Sequence, residues 1–433
     1  MKWSVGLTLP LLAAAAPLAD GERNHVLIER QVGGGAGSPF SGFFGSGEAK
    51  LPISVTKLEP KINPKATREA LVWGPYKLQP SNGTHVGGGF KMDPNSDIVT
   101  GRMGGLCADC MVLEASSETT FKDGKRMGLG DGLYTHHILF IDSGRPSVKS
   151  PLKPVCTNGT AGMTMTRPGG GVVAPIQETG GIEDTSPGIS TGDSHSHGHK
   201  VRRSSSLPLD RRQMAFPGIS LLVGIGHDAT PHVYDVKGDD VNAGFYIGAG
   251  DPIIMMAELI NYDPAEKETY IKLEYEYLSG GRPEGYLDVV QNAINMEGCK
   301  FAGLSIFPPA DGPVIYESNK YDVIANGYLM NLSPHLHDGG IDFQVYVNEK
   351  EVCNSKAIYG GGAQAVGEEP WETIVGYEKC PEGIRIVKGD QVHIKAKYDL
   401  TQHRLRPSSD GDDHAHGEGA EGMALSITVF AVE

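Results

Sequence analysis

The chain has 433 residues, among them 59 glycines, 28 prolines and six cysteines, and its formal net charge is −15, with 53 acidic against 38 basic side chains. That length exceeds one ordinary hydrophobic core, so two domains are expected. An acidic surface repels phosphate backbones, which excludes nucleic acid as a partner and otherwise speaks only for solubility.

Residues 1–19 begin with Lys2 after the initiator, continue through the largely apolar run Leu7–Leu12 and close on alanines, the pattern of a secretory signal peptide. The run is too short for a membrane span, no later stretch reaches spanning length, and the C-terminus carries no hydrophobic tail. A secreted, extracellular, monomeric protein with no membrane attachment is the expectation. Secretion makes disulfide candidates of Cys107, Cys110, Cys156, Cys299, Cys353 and Cys380. Cys353 with Cys380 is the preferred pair, because both fall in one domain. Cys107-Ala-Asp-Cys110 has redox spacing, but no thioredoxin-like βαβ pattern surrounds it, so a structural bridge is expected. Sequons open at Asn82, Asn158 and Asn331, the last followed by Pro334.

Residues 20–50 are glycine-rich and poor in core material, a flexible leader. From Leu51 onward come short apolar alternations at Tyr134–Ile141, Ser220–Val223, Phe245–Ile247, Ile253–Leu259, Tyr270–Tyr277, Tyr321–Leu329, Asp342–Val347, Gln391–Lys397 and Ala424–Val432. Gly, Pro, Asn and Asp separate them, and only Leu287–Asn295 offers a weak helical period. Many short strands with turn chemistry between them mean an all-β sandwich or barrel. Residues 166–212 break the pattern. They hold a Gly/Ser/Thr-rich run and the tract His195, His197 and His199, and read as a disordered insertion with incidental metal affinity. Dibasic pairs at Arg202–Arg203 and Arg211–Arg212 hint at processing. A second histidine loop, 410–418, holds His414 and His416 and reads as an auxiliary or copper-loading element.

Three features carry the chemistry. His136 and His137 stand side by side at the head of an apolar strand, where neighbours point to opposite faces, so both reach one ion only if the strand start is twisted. His335 and His337 are two residues apart, ahead of the alternation Phe343, Val345, Val347, and positions i and i+2 share a face. Met423 enters the closing strand. Two imidazoles with a thioether suit copper, Cu(I) above all, better than zinc, magnesium or calcium.

These residues resemble the copper type II, ascorbate-dependent monooxygenases, the family of peptidylglycine α-hydroxylating monooxygenase and dopamine β-monooxygenase. Thr135-His136-His137-Ile-Leu-Phe is similar to that family's first histidine dipeptide, Pro334-His335-Leu-His337-Asp-Gly-Gly to its His-x-His element, and Val387–Tyr398 to its Gly-Asp turn and strand. Glu421-Gly-Met423 falls where its methionine ligand belongs. The resemblance implies two tandem jelly-roll-like antiparallel β-sandwich domains, here 51–284 and 285–433, each with one copper across a cleft. His335, His337 and Met423 would then hold the oxygen-activating copper, and His136 and His137 the electron-transfer copper. The third histidine of the first site is missing from the strand Asp251–Tyr262, which carries Glu258 instead. His227, His232 or Glu258 itself are the substitutes, or the site is incomplete. Ser333 and Ile427 stand where peptide-amidating members keep an arginine and a tyrosine, so peptide amidation is not expected. The resemblance thus implies one or two coppers and a C–H-hydroxylating monooxygenase. It would take a small-molecule or peptide substrate, with ascorbate or another reductant as electron donor. The rivals are a non-catalytic copper-binding protein on the same fold and a β-sandwich glycoprotein that binds carbohydrate or a partner.

Overall fold

β-Branched and aromatic side chains alternating with polar ones fit a pleated surface buried on one face. The chain forms strands almost wherever that alternation occurs. The structure is a computed structural model, described over residues 48–85, 93, 95–145, 150–156, 164–167, 171–173, 220–236, 241–299, 305–363, 371–406 and 422–433. The signal peptide, nearly all of the leader, the Asn158 sequon, the 193–200 histidine tract and the loop 410–418 lie outside the described residues. Among those described, the fold is all-β with one short 3-10 turn, Leu129–Asp131, and no helix is long and apolar enough to cross a membrane.

The largest sheet runs, neighbour to neighbour, through Ser54–Leu58, Thr67–Leu78, Lys267–Ser279, Cys110–Thr120, Ala243–Ile247, Leu287–Asn295, Gly422–Val432, Gly327–Leu336 and Ile384–Ile386. Its first half is covered by a four-stranded sheet, Asp97–Met103, Ile253–Asn261, Leu133–Asp142 and Ser220–Ile225. Between the two lies a core of Leu71, Trp73, Val112, Phe140, Val223 and Met255. Its second half packs on another sheet, which includes Gly340–Val347 and Gln391–Tyr398, around Phe343, Val345, Ile394, Leu332 and Phe430. Gly422–Val432 belongs to both cores: Val429 and Ala431 face the first, Ala424 and Phe430 the second. A strand buried on both faces needs apolar residues at successive positions rather than a clean alternation, and Met423–Val432 has that composition.

Leu287–Asn295 is a strand, not a helix. It pairs with the closing strand from Val289↔Ala431 to Asn295↔Leu425, and that ladder overrides the weak local period. The expected strand Tyr321–Leu329 divides into Tyr321–Val323 and Gly327–Leu336. His335 therefore lies in a strand of its own rather than on the approach to the Phe343 strand. The turn between the two needs Gly339, whose φ is +91° and where a Cβ would come within 2.5 Å of Leu400. The expected insertion also begins later than its composition suggests, since Thr164–Arg167 and Gly171–Val173 pair as a hairpin on the C-terminal sheet.

The six cysteines form three bridges, Cys107–Cys110, Cys156–Cys299 and Cys353–Cys380. The third was expected from sequence. The second closes a loop of 143 residues, and the chain-entropy argument gives such a bridge about 4–5 kcal/mol.

One buried carboxyl yields a test of the fold. Asp142, at the end of the Leu133–Asp142 strand, accepts the backbone N–H groups of Gly144 and Arg145 on one oxygen. Burial, and then the nearby Asp251 carboxylate, pushes its carboxyl up to about 6. A folded-state value above the ordinary one adds stability that is complete below the ordinary value and lost as pH rises through about 6. Asp142→Asn therefore costs most near pH 4 and least above pH 6.5, a difference of roughly 2–3 kcal/mol. Urea unfolding at both pH values measures it, and an equal cost at the two would count against the assignment.

Candidate metal centre

The Leu133–Asp142 strand lies between Ile253–Asn261 and Ser220–Ile225. Its register with the former runs Glu258↔His137 and then Leu259↔Thr135, which leaves His136 as an extra residue. This β-bulge supplies the twist that two adjacent histidines need in order to share a face. Their ring centroids are 4.3 Å apart. His136 is buried at 2% exposure, while His137 keeps 16% of its side chain accessible.

The second arm is the pairing of Gly327–Leu336 with Gly422–Val432. His335 lies opposite Leu425, and the His337 N–H donates to the Met423 carbonyl at 3.0 Å. Directly opposed residues share a sheet face, so His335, His337 and Met423 stand on one side and Leu336 and Ala424 on the other. Tyr398 fixes the methionine end of the strand by donating its hydroxyl to the same carbonyl.

The two arms meet. His137 Nε2 lies 3.0 Å from His335 Nε2, and one nitrogen from each of His136, His137 and His337 falls within 4.8 Å of the others. The His136 and His337 ring centroids are 4.9 Å apart, as are those of His137 and His335. The four histidines thus form one cluster, where the resemblance implied two centres facing each other across a cleft. The third histidine grouped with His136 and His137 is His337, from the other half of the chain.

Glu258 is not on the open side of this cluster. Its Oε2 lies 3.0 Å from His136 Nδ1 and 3.7 Å from His137 Nδ1, and its Oε1 accepts the Asp93 N–H at 2.9 Å and the Ser96 hydroxyl at 2.7 Å. Burial alone would raise this carboxyl, but the two adjacent histidines outweigh it and hold the group well below the carboxylate range. His232 is engaged at both ring nitrogens, by the Gly224 carbonyl at 2.8 Å and Gln291 Oε1 at 3.1 Å. His227 stacks on Tyr134, with 5.2 Å between centroids, and its Nδ1 takes the Thr135 N–H at 3.4 Å. Both stand outside the cluster as packing residues.

The cluster suits a metal that prefers nitrogen ligands. Burial, followed by the charge of His137, lowers the pKa of His136 to about 4. Burial, then His137 and His136, holds His335 well below its ordinary value. Such imidazoles are neutral at physiological pH and offer lone pairs. His136 Nε2 is buried without a hydrogen-bond partner, a desolvation cost that a bound ion would remove. Two nitrogens sharing one ion at ordinary bond lengths of about 2.0–2.1 Å also stand roughly 3 Å apart, close to the separation of His137 and His335.

Comparison with known proteins finds likenesses over parts of the chain. Residues 310–405, which include His335 and His337, match the family described as stress up-regulated Nod 19. The chain is 23% identical over 189 residues to "Probable copper-dependent oxygenase M1" of Phoma sp., covering 43% of this chain and 47% of that protein. It is equally similar over 189 residues to "Probable copper-dependent oxygenase clz3" of Cochliobolus lunatus, covering 59% of that protein. The chain is similar to proteins named as copper-dependent oxygenases. The matched stretch spans about half the length of these relatives. A solved structure of PNGF-II aligns at a TM-score of 0.32 and 11% identity over 85% of this chain and 66% of that one, too loose a likeness to carry an argument.

Two supporting residues had no sequence signal of their own. Asp338, next to His337, is buried and accepts from Trp371 Nε1, Thr373 Oγ1 and the Ile374 N–H, each at 3.0 Å. Gly226 lets its backbone approach the His335 ring so closely that a Cβ there would lie 2.8 Å from Cε1. Gly226→Ala is expected to displace His335 and lower copper affinity several-fold while the far-ultraviolet spectrum stays unchanged. A copper titration that matches wild type would show the ring yields freely.

Proposed function

We propose that this chain is a secreted copper-dependent oxygenase with one copper, held by His136, His137 and His337 with His335 and Met423 beside them. The reaction proposed is hydroxylation of a C–H bond in a small-molecule or peptide substrate by O2, with ascorbate or another small reductant supplying electrons. The observation that carries the reading is the convergence of two histidine pairs, 198 residues apart at His137 and His335, on one buried cluster. Copper supplies one-electron chemistry with oxygen, and a soft thioether on the same face favours its reduced state. Disulfides in the described core fit folding in an oxidising compartment.

The chain's own residues would divide the work. Burial of His136 and His337 keeps water from the metal side of the cluster. His137 and His335 form its partly accessible edge. A small niche with room for about one water-sized molecule adjoins His335 and is lined by Gly226, Asp228, Thr230, His232, Ser333 and Ile427. Ser333 and Ile427 are direct cross-strand partners there. Among the described residues no lysine or arginine lines the niche, and burial raises the Asp228 carboxyl.

Copper titration of the purified protein with metal analysis tests the reading, followed by O2 uptake with ascorbate as reductant. One tightly held copper per chain and reductant-dependent uptake are expected. Copper binding without any uptake over a range of reductants would leave a copper-binding protein and sink the oxygenase. The sequons add a smaller test. Asn82 is exposed, whereas Asn331 lies within the Gly327–Leu336 ladder and accepts a hydrogen bond from Ser333. Peptide mapping of the secreted protein should find glycan at Asn82 and none at Asn331.

A further inference from the structure

We propose that the Cys107–Cys110 bridge is a thiol–disulfide exchange site, at which small thiols, cationic ones in preference, deliver two electrons to the protein. The proposal rests on nothing in the copper reading. Its cysteines are 3 residues apart, against 27 for Cys353–Cys380 and 143 for Cys156–Cys299. A loop that short removes the least entropy from the unfolded chain, so of the three bridges this one adds least to stability. The loop is also held without it. Cys107 donates its N–H to Tyr275 Oη at 2.9 Å, and the Asp109 carbonyl accepts from the Gly280 N–H at 3.0 Å and the Gly281 N–H at 2.7 Å. Cys110 is laddered between Ile247 and Ser279. Both cysteines therefore keep their places when the S–S bond opens. Cys156 is exposed as well, so access alone does not single out this bridge; the short loop and its own hydrogen bonds do.

The two cysteines differ in access, and that sets the order of events. Cys110 is fully buried, whereas Cys107 is partly exposed beside the exposed Ala108 and Asp109. An incoming thiolate attacks Cys107 Sγ, the S–S bond breaks, and Cys110 leaves as a thiolate that takes up a proton. A second thiolate attacks the reductant's sulfur in the mixed disulfide and releases Cys107. Two thiols are thus oxidised to one disulfide, and the bridge is reduced to two thiols. In the reverse direction Cys110, fixed in its strand, is the resolving cysteine. Charge at the mouth decides which thiols arrive. Asp109 Oδ1 accepts the Tyr246 hydroxyl at 2.6 Å, and the Asp251 and Asp288 carboxylates raise the same phenol after Asp109 itself. Arg282, next to Gly281, turns its Nε to the Tyr286 carbonyl at 2.8 Å. An approach flanked by carboxylates slows anionic thiols and draws cationic ones.

The test uses the full disulfide-bonded protein at about pH 8, close to the thiol pKa, with graded cysteamine or mercaptoethanesulfonate, an acid quench, alkylation and peptide mapping. Cysteamine should open Cys107–Cys110 roughly 10-fold faster than Cys353–Cys380, whose Cys353 is buried, while the far-ultraviolet spectrum stays unchanged. Removing the reductant and adding cystamine should restore the bridge in wild type and leave a stable cysteamine adduct on Cys107 in Cys110→Ser. The cysteamine-to-mercaptoethanesulfonate rate ratio should fall several-fold in Asp109→Asn and in high salt. A bridge that opens only when the protein unfolds, or only together with Cys353–Cys380, overturns the proposal. An unchanged ratio in Asp109→Asn overturns the preference for cationic thiols. The paired substitution Cys107→Ser with Cys110→Ser should lower the melting temperature by only about 2–4 °C, and loss of the fold would show a structural bridge instead. If Cys110→Ser does not fold, the wild-type reduction and reoxidation still decide.

Discussion

Replacing His337 with alanine is expected to abolish stoichiometric copper binding while the β-fold stays in place. His337 supplies the third nitrogen of the tightest group in the cluster and brings it from the C-terminal half of the chain. His136 and His137 alone form a two-coordinate site on one strand. Loss of a direct ligand should exceed the roughly 10–100-fold typical of losing an outer partner. The side chain lies just past the end of its strand, and the backbone contact to Met423 does not depend on the imidazole. The cost in stability should accordingly stay within about 1–2 kcal/mol. Titration against a competing chelator and a thermal melt of the metal-free protein give the two readouts. If His337→Ala keeps one copper at wild-type affinity, or if wild type holds two independent coppers, the single-centre reading falls.

Asp338→Ala should produce the largest loss of stability of any substitution near the site, about 3–5 kcal/mol. The carboxylate accepts from three donors on Trp371, Thr373 and Ile374, all buried, and alanine would strand all three. Each unsatisfied buried donor costs about 1–3 kcal/mol, less whatever water can recover. Asp338→Asn should fall between, because its amide NH2 must face at least one of those donors. Burial pushes the Asp338 carboxyl up to about 6 against the pull of the same hydrogen bonds, so the group is ionised at neutral pH and the comparison is best made there. Chemical denaturation of metal-free protein isolates the effect from copper. Copper affinity should fall as well, since the loosened turn carries His337. An Asp338→Ala protein as stable as wild type would mean that water replaces the carboxylate freely.

The strands were legible because their signal is local. Ile253–Leu259, Gln391–Lys397 and Ala424–Val432 follow from apolar positions that repeat within a few residues, and the structure extends each by only a residue or two. Where the local pattern was ambiguous, pairing decided. Leu287–Asn295 became a strand because Gly422–Val432 lies alongside it. Glu258 was visible as a carboxylate inside an apolar strand, and that oddity was a usable signal, since a buried charge needs partners. Sequence offered it as a metal ligand. Register placed it behind the histidine pair instead, near the Nδ1 atoms.

By itself the sequence determined the all-β class, the Cys353–Cys380 bridge and the two histidine pairs. Each of these rests on residue types at short spacing or on the pairing of two cysteines in one domain. Only the tertiary structure decided that the pairs make one cluster, that His136 sits on a bulge, and that His337 is the third histidine grouped with His136 and His137. The reason is physical. A strand's two-residue period tells which side chains share a face, but not which face meets another. That meeting is fixed by the packing of two sheets over a common strand, Gly422–Val432, and no local pattern encodes a contact across 198 residues.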